Sequence, residues 1–453
     1  MKELDRAHPP ESNAGEPFHF PEFTHQKLAT GLEVYALRRE NAPLVSLQLV
    51  LPAGAHFDPA PHPGLAAFAA SLLEEGTTSL SSKEIADRIE SIGGTLSTGA
   101  GWATASIAST VLTPHLETAF ELLADVATNP AFQAEEIERT RRERLAEWLR
   151  RRDQPTAIAE EVFASTLYGE GVYGHTLLGD QRSLQTIGAE EISTFWRAHS
   201  QAHGAFLLVA GDVEPARVLD VAVRRLGELA EGPRTEAPLF DSPPSRRQVK
   251  IVDRPDAQQT EIRIGHVGPR RSHRDRTALS VLNSLLGGKF TSRINLNLRE
   301  RNGYTYGAHS AFIERIGPAP FLVWTAVAND VAGAASGEIL HELSRLREEA
   351  VSEEELLETR NFLQGVFPYG LQTNGGILRR LQELAVYDLP DDYFDRRLEE
   401  ISTVDEGRLL SVARSHIDPD STAIVAVGPA TELAPQFQHF GEVEVLEPVA
   451  PAA

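Results

Sequence analysis

The sequence contains no cysteine, which excludes disulfide bonds, thiolate metal sites and cysteine nucleophiles. It also lacks any apolar run approaching the roughly 18 residues needed to cross a bilayer, so we do not expect a membrane protein. Positive charge is the scarcer sign, because 43 Lys and Arg stand against 65 Asp and Glu and give a net charge of −22. Such a charge repels a phosphate backbone and attracts basic peptides, so nucleic acid is not an expected partner.

The chain is long enough for more than one hydrophobic core. Its 453 residues exceed the roughly 250 to 300 at which a single core stops growing, so two or more domains are expected. A hydrophobic fraction of 41% with 24% charged residues is ordinary for a soluble globular protein. The first twenty residues contain no apolar signal-peptide core, so the expected compartment is the cytoplasm unless a leader has been removed.

Two stretches of alternating hydrophobicity, VSLQLVL at 45–51 and EIRIGHV at 261–267, predict strands. A helical segment follows each, and a short apolar run ending in a turn comes later, at 205–213 and at 423–430. The opening and closing stretches begin 160 residues apart in the first half and 162 apart in the second. This spacing predicts two homologous mixed α/β halves, and the alternative is a coincidence of spacing in a generic α/β protein.

A segment rich in proline divides the two predicted halves. Residues 231–248 contain four prolines and show no periodicity, as expected of a linker between domains. The sequence therefore predicts an N-terminal domain over 24–232, a linker over 233–248 and a C-terminal domain over 249–446.

The stretch GLAAFAASLLEEGT at 64–77 predicts a helix with small residues on one face, namely Ala67, Ala70 and Ser71. Taken by itself, such a face indicates close helix packing. A zinc-binding helix of the HxxEH type would instead place two imidazoles and a carboxylate on that face.

The same stretch resembles the zinc-binding helix of the pitrilysin/insulinase family of inverted-zincin metallopeptidases. The positions that fit the family are apolar or glycine, apart from one threonine: Gly64, Leu65, Ala66, Phe68, Leu73, Gly76 and Thr77. Ala67 and Ser71 stand where the family has its two ligand histidines, and Ala70 stands where it has the base. The resemblance therefore identifies the chain as the non-catalytic type that lacks the zinc motif.

The family's third ligand is a Glu about 76 residues beyond the second His, and Glu147 lies 76 residues after Ser71. Without the family, Glu147 would be interpreted as a solvated helix acid among arginines. One carboxylate cannot replace three protein ligands, so we expect no zinc in this chain and no activity of the chain alone. Glu147 is then a relic or a local hydrogen-bond acceptor.

A stretch of the second half, LLGGKFTSRINLNLRERNGYTYGAHS, resembles the family segment whose Arg and Tyr contact the substrate from the half without zinc. Arg299 and Tyr306 stand at those two positions, with Gly303 between them. A guanidinium can bind a peptide carbonyl or carboxylate, and a phenol can donate to a developing oxyanion. By residue type alone, the two would be an exposed helix Arg and a half-buried strand Tyr.

The resemblance implies halves of the mixed α/β roll type, each with a mostly antiparallel sheet flanked by helices. It implies a zinc-free partner subunit of a heterodimeric metallopeptidase that supplies Arg299 and Tyr306 in trans. The partner would be a zinc-bearing homologous subunit, and the substrate a short unfolded peptide. The alternative is a non-catalytic scaffold resembling respiratory-complex core proteins or the non-catalytic processing-peptidase subunit. A third possibility, an autonomous peptidase with another metal arrangement, requires ligands that the sequence does not offer.

Two further motifs are interpreted as structural. His199 and His203 have the i, i+4 spacing of metal ligands, but no acid accompanies them, so we predict a surface or capping pair. Gly287 and Gly288 lack the spacing of a phosphate-binding loop and are predicted to form a turn.

Overall fold

The computed structural model describes residues 18–227, 229, 232 and 246–447. The strands are β1 (Thr24–Lys27), β2 (Glu33–Arg38), β3 (Leu44–Leu51), β4 (Thr95–Ala100), β5 (Ala105–Leu112), β6 (Phe206–Gly211), β7 (Gln248–Asp253), β8 (Gln259–Val267), β9 (Ala308–Phe312), β10 (Pro320–Ala328), β11 (Ala423–Gly428) and β12 (Val443–Leu446). The first-half helices are α1 (Leu65–Ser71), α2 (Ser82–Glu90), α3 (Leu116–Thr128), α4 (Ala134–Arg152), α5 (Pro155–Tyr168), α6 (Gln181–Thr186), α7 (Ala189–His199) and α8 (Pro215–Leu226).

The second-half helices are α9 (Arg276–Asn283), α10 (Arg293–Asn295), α11 (Ala332–Glu348), α12 (Glu353–Val366), α13 (Asn374–Val386), α14 (Tyr393–Thr403), α15 (Glu406–His416) and α16 (Ala430–Phe437). Two π-helical segments, Ser284–Gly288 and Leu296–Arg301, continue α9 and α10.

The strands form two six-stranded sheets with the same internal plan. The first has the order β1-β2-β6-β3-β5-β4, and the second has the order β12-β7-β11-β8-β10-β9. In each sheet the first long strand pairs in parallel with the last central one, β2 with β6 and β7 with β11, and the next three pairings are antiparallel. The prediction of two homologous α/β halves with mostly antiparallel sheets is confirmed.

The four stretches that suggested the duplication occupy equivalent places. Residues 45–51 lie within β3, which is antiparallel to β6 at the centre of the first sheet. Residues 261–267 lie within β8, which is antiparallel to β11 in the second sheet. Their alternation arises because the apolar side chains of one face join the core of their own half, whereas polar side chains such as Gln48 and Arg263 lie on the opposite face and contact α13 and α5.

Each sheet is covered on one face by helices of its own half and on the other face by a helix of the other half. Helix α5 from the first half packs on β8 and β11, where Phe163 and Leu167 join Val425 in one apolar cluster. Helix α13 from the second half packs on β3 and β6, where Leu381 lies in a cluster with Val50. The two halves therefore exchange helices.

The predicted domain boundaries stay a prediction, because residues 233–245 of the predicted linker lie outside the described residues. Within the described part of the chain, no helix combines the length and the apolar character required to span a bilayer.

Candidate functional site

The helix that carries the degenerate motif, α1, is fixed at its first turn by a buried carboxylate. Asp58 accepts hydrogen bonds from the backbone N–H groups of Gly64 at 2.7 Å and Ala66 at 2.8 Å. Burial raises the pKa of Asp58 to about 7, and these two donors together with Arg144 oppose the rise. Gly64 has φ +89°, and a Cβ there would lie 2.6 Å from the carbonyl oxygen of Leu178, so only glycine fits this turn.

The three motif positions have different surroundings. Ala67 lines a cavity, whereas Ala70 is fully buried and serves the close packing that small residues permit. The Ser71 hydroxyl donates to the carbonyl oxygen of Phe68 at 2.8 Å. The face is therefore partly a packing surface and partly a cavity wall.

Glu147 lies on α4 and lines the same cavity as Ala67. Arg144, one helical turn earlier, points to the same place and was missed by the sequence interpretation. Its Nη1 donates to the carbonyl oxygen of Ala67 at 3.4 Å, and its Nη2 to that of Leu178 at 3.5 Å. Burial lowers the pKa of Arg144 to about 10, with Glu147 and Asp58 opposing the fall. A guanidinium thus lies beside the vacated motif.

These residues do not fit zinc. Neither Ala67 nor Ala70 has a side-chain donor atom, and a serine hydroxyl is a poor zinc ligand. Glu147 offers one carboxylate, and the positive charge of Arg144 beside Ala67 repels a dication.

The cavity has a volume of about 660 Å³ and lies between the two halves. Its apolar wall includes side chains from both halves: Trp102, Phe163, Leu177, Leu178, Leu322 and Trp324. Its charged residues carry both signs: Arg144, Arg151, Arg263, Arg315, Glu147, Glu160 and Glu161. The acidic surplus of the whole sequence is therefore not concentrated here.

The structure brings Arg299 and Tyr306 together. Arg299 lies in the π-helical segment after α10, and its Cζ is 5.1 Å from the centroid of the Tyr306 ring and 4.4 Å from that of Phe290. Gly303, with φ +66°, forms the turn between them. Tyr306 is 91% exposed. Within the described part of the chain, neither Arg299 nor Tyr306 lines the cavity beside Ala67, and their role stays a prediction.

Two smaller predictions are corrected. His203 is exposed as predicted, but His199 at the end of α7 is half-buried, with its ring stacked 4.5 Å from that of Phe57. Gly287 and Gly288 form the end of a π-helical segment and not a turn. A Cβ at Gly287 would lie 2.5 Å from the Ser310 Oγ, so the glycine lets β9 approach the helix.

Over the described residues, the groups close enough to suggest a metal site are His273, Asp275 and His416. Asp275 Oδ1 already accepts from Arg408 at 2.6 Å, and Oδ2 lies 2.7 Å from Nε2 of His416. Since an arginine neutralises the carboxylate, this cluster is a structural network.

The chain has two similar sheets and a helix that stands at the place of the HxxEH motif but lacks the ligand residues. These features define the class of metallopeptidase-like chains with a degenerate zinc helix. Residues 34–181 match the family described as Insulinase (Peptidase family M16), and residues 186–363 match the Peptidase M16 inactive domain. The chain therefore belongs to the pitrilysin/insulinase family, peptidase family M16, and is of the type that lacks the zinc motif.

Relatives and solved structures agree with this assignment. An uncharacterized zinc protease of Rickettsia bellii is 24% identical over 73% of this chain and 80% of its own length. One of Mycobacterium tuberculosis is 25% identical over 81% of this chain and 84% of its own length. A peptidase M16 inactive domain from Pseudomonas fluorescens, 23% identical, has a TM-score of 0.84 over 90% of this chain and 98% of its own. A protease from Helicobacter pylori, 19% identical, has a TM-score of 0.85 over 90% of this chain and 100% of its own.

Proposed function

We propose that this chain is the zinc-free subunit of a heterodimeric metallopeptidase and supplies Arg299 and Tyr306 to a zinc-bearing homologous subunit. The observation that carries the proposal is the geometry of the pair. Tyr306 is 91% exposed, yet its ring is held 5.1 Å from the Arg299 guanidinium. A phenol held in place and open to another molecule can act in a site that the chain itself does not complete.

The chemistry of the pair suits peptide hydrolysis. The phenol of Tyr306 can donate a hydrogen bond to the oxyanion that develops on a scissile carbonyl, which a preorganised donor stabilises. The guanidinium of Arg299 can hold a neighbouring substrate carbonyl or carboxylate with charge-assisted hydrogen bonds. The metal and its bound water belong to the partner in this proposal, because the residues around Ala67 do not fit zinc.

The surroundings of the pair support contact with a second chain. Phe290, which stacks against Arg299, is 66% exposed, and Leu296 on the same π-helical segment is 46% exposed. Exposed apolar side chains beside a polar pair are typical of a binding surface. Short unfolded peptides are the proposed substrates, since a chamber between two chains selects by size and flexibility. The proposed compartment is the cytoplasm.

The test mixes the purified chain with a homologous chain that carries an intact HxxEH motif, and measures complex formation, zinc content and peptide hydrolysis. Hydrolysis is expected only in the mixture, and Arg299→Ala or Tyr306→Phe should lower it without dissolving the complex. If the complex forms and both variants leave turnover unchanged, supply of the pair in trans is wrong and the scaffold alternative is favoured. Stoichiometric zinc in the isolated chain, with hydrolysis by that chain, would show the proposal to be wrong.

A further inference from the structure

Arg315 is a half-buried cation without a carboxylate partner. It lies in the hairpin between β9 and β10, and its Cζ is 4.5 Å from the Trp102 ring and 4.3 Å from the Tyr173 ring. Its Nε and Nη1 are buried and make no hydrogen bond. Within the described part of the chain, no ion pair joins it to an acid, and burial lowers the pKa of Arg315. The charge is therefore shielded by aromatic faces and left uncompensated.

Arg144 is a second under-compensated cation on the same cavity. Its Nε is buried without a hydrogen-bond partner, and its two other nitrogens make only the long contacts to carbonyl oxygens described above. Glu147 and Asp58 are near enough to oppose the fall in its pKa, but among the described residues neither forms a direct ion pair with Arg144. Guanidinium groups that line a cavity without an ion-pair partner are poorly compensated, so a cavity that holds two such arginines is suited to an added anion.

The other arginines of the cavity already have partners. Arg263 donates to Glu261 at 2.8 Å, and Arg151 lies 3.8 Å from Glu160. An incoming anion would therefore be directed to Arg144 and Arg315.

We propose that the cavity between the halves binds the carboxylate group of a peptide through Arg144 and Arg315. A planar carboxylate matches the fork of a guanidinium. The carboxylates of Glu147, Glu160 and Glu161 on the same cavity disfavour a more highly charged anion such as phosphate.

The apolar wall defines the remainder of the ligand. Leu322 and Trp324 of β10 and Leu177 of the first half line the cavity with a large apolar area. A volume of about 660 Å³ lies in the range of small-ligand sites. The ligand is therefore an apolar residue that bears, or adjoins, a carboxylate. This inference rests on the proposed function in one respect, namely that the ligand is a peptide.

The test measures fluorescence anisotropy of labelled peptides on the isolated full chain, with no partner subunit present. One peptide ends in leucine with a free carboxylate, a second is its C-terminal amide, and a third is an amide with glutamate before the leucine. We expect the free acid to bind about tenfold more tightly than the plain amide, because the loss of one charge-assisted hydrogen bond lowers the affinity by about that factor. If only the glutamate peptide exceeds the amide, the source of the carboxylate is a side chain. Equal binding of all three overturns the proposal.

Variants assign the effect to the two arginines. Arg315→Met and Arg144→Met should each remove the preference for the acid, whereas Arg315→Lys should keep part of it. Arg150→Met is the matched control, because Arg150 is exposed on α4 and does not line the cavity. If the preference survives in both methionine variants, the assignment to these residues is wrong. The binding assay uses the isolated chain, so a negative result there does not contradict the proposed heterodimer. Likewise, the absence of hydrolysis in the mixture does not contradict carboxylate binding by the isolated chain.

Discussion

Arg144 lies against Ala67, with its Nη1 3.4 Å from the carbonyl oxygen of Ala67. In the family frame Ala67 is the place of the first ligand histidine, so a fixed positive charge now lies beside the position of the lost metal ligand. The motif is therefore unsuited to zinc for two reasons, because it lacks the ligand and base side chains and because a positive charge lies beside it.

Restoring the motif should not restore the metal. We expect Ala67→His/Ala70→Glu/Ser71→His to hold much less than one zinc per chain after dialysis, because Arg144 repels the cation. Adding Arg144→Leu should raise the zinc content. The control is Arg150→Leu, at an exposed position on the same helix. Added to the triple variant, it should leave the zinc content unchanged.

The same triple variant should be less stable than the natural chain. Ala70 is 0% exposed, so a larger side chain overpacks the core at a cost of about 1 to 3 kcal/mol in the free energy of unfolding. Urea unfolding measures the change. One zinc per chain in the triple variant with Arg144 intact would contradict the role given to this arginine.

In the heterodimer, the two residues of the exposed pair should affect different kinetic constants. Tyr306→Phe should lower kcat by about 10²-fold with little change in KM, because a donor to the oxyanion acts in the transition state. Arg299→Ala should raise KM as well, because its contact also exists in the ground state. Tyr369→Phe is the control, since Tyr369 is a tyrosine with 69% exposure elsewhere on the second half. Equal effects of the two tyrosine substitutions would exclude a specific role for Tyr306.

Acid should destabilise the protein through His56. Burial, with a smaller contribution from His199, lowers the pKa of His56 to about 4. Between about pH 6.5 and 4 the unfolded chain binds a proton at this position and the folded chain does not. The stability is therefore present above pH 6.5 and is lost as the pH falls toward 4, by about 3 kcal/mol.

His56→Gln should make the free energy of unfolding less dependent on pH over this range, measured by urea titration at several pH values. His203→Gln, at an exposed position, should keep the pH dependence of the natural chain. The assignment to His56 fails if both variants retain the same dependence.

A buried ion network ties α13, which packs on the first sheet, to the rest of the second half. Arg271 is 2% exposed and contacts Glu383 on that helix, the Tyr393 hydroxyl at 2.8 Å and Glu314 at 3.2 Å. Arg271→Met removes these contacts but leaves Glu383 paired with Arg380 and Glu314 paired with Arg276, so it should lower the free energy of unfolding by about 1 to 3 kcal/mol.

Adding Glu383→Gln to that variant should cost less than the sum of the two single changes, since both changes remove the same Arg271–Glu383 contact. Lys83→Met serves as the control, because the Lys83–Asp87 pair is exposed and should contribute little. Strict additivity in the double variant would rule out direct coupling.

The sequence predicts the parts of this fold that depend on local pattern. The alternation in 45–51 and 261–267 identifies central strands, and the capping box of Ser81 and Glu84 identifies the start of α2. These features succeed because strand and helix periodicity and end capping are local properties. Only the resemblance to the family indicates that Arg299 and Tyr306 belong to one site.

The sequence does not predict features that depend on distant packing. Arg144 lies in a helix with many charges of both signs, and its burial results from contact with α1, 77 residues away. Amphipathic helices such as α5 and α13 indicate an apolar face but not which sheet that face covers. The sequence around Arg315 does not indicate its role, because its aromatic neighbours Trp102 and Tyr173 come from the other half of the chain.

The crossing of α5 and α13 between the halves has a consequence for the origin of the chain. A polypeptide of half this length would leave one side of its sheet bare, and it could cover that side only by trading helices with a second copy of itself. A symmetric pair of half-length molecules that traded these helices would protect the same sheet surfaces, and fusion of two such units would give the arrangement of this chain.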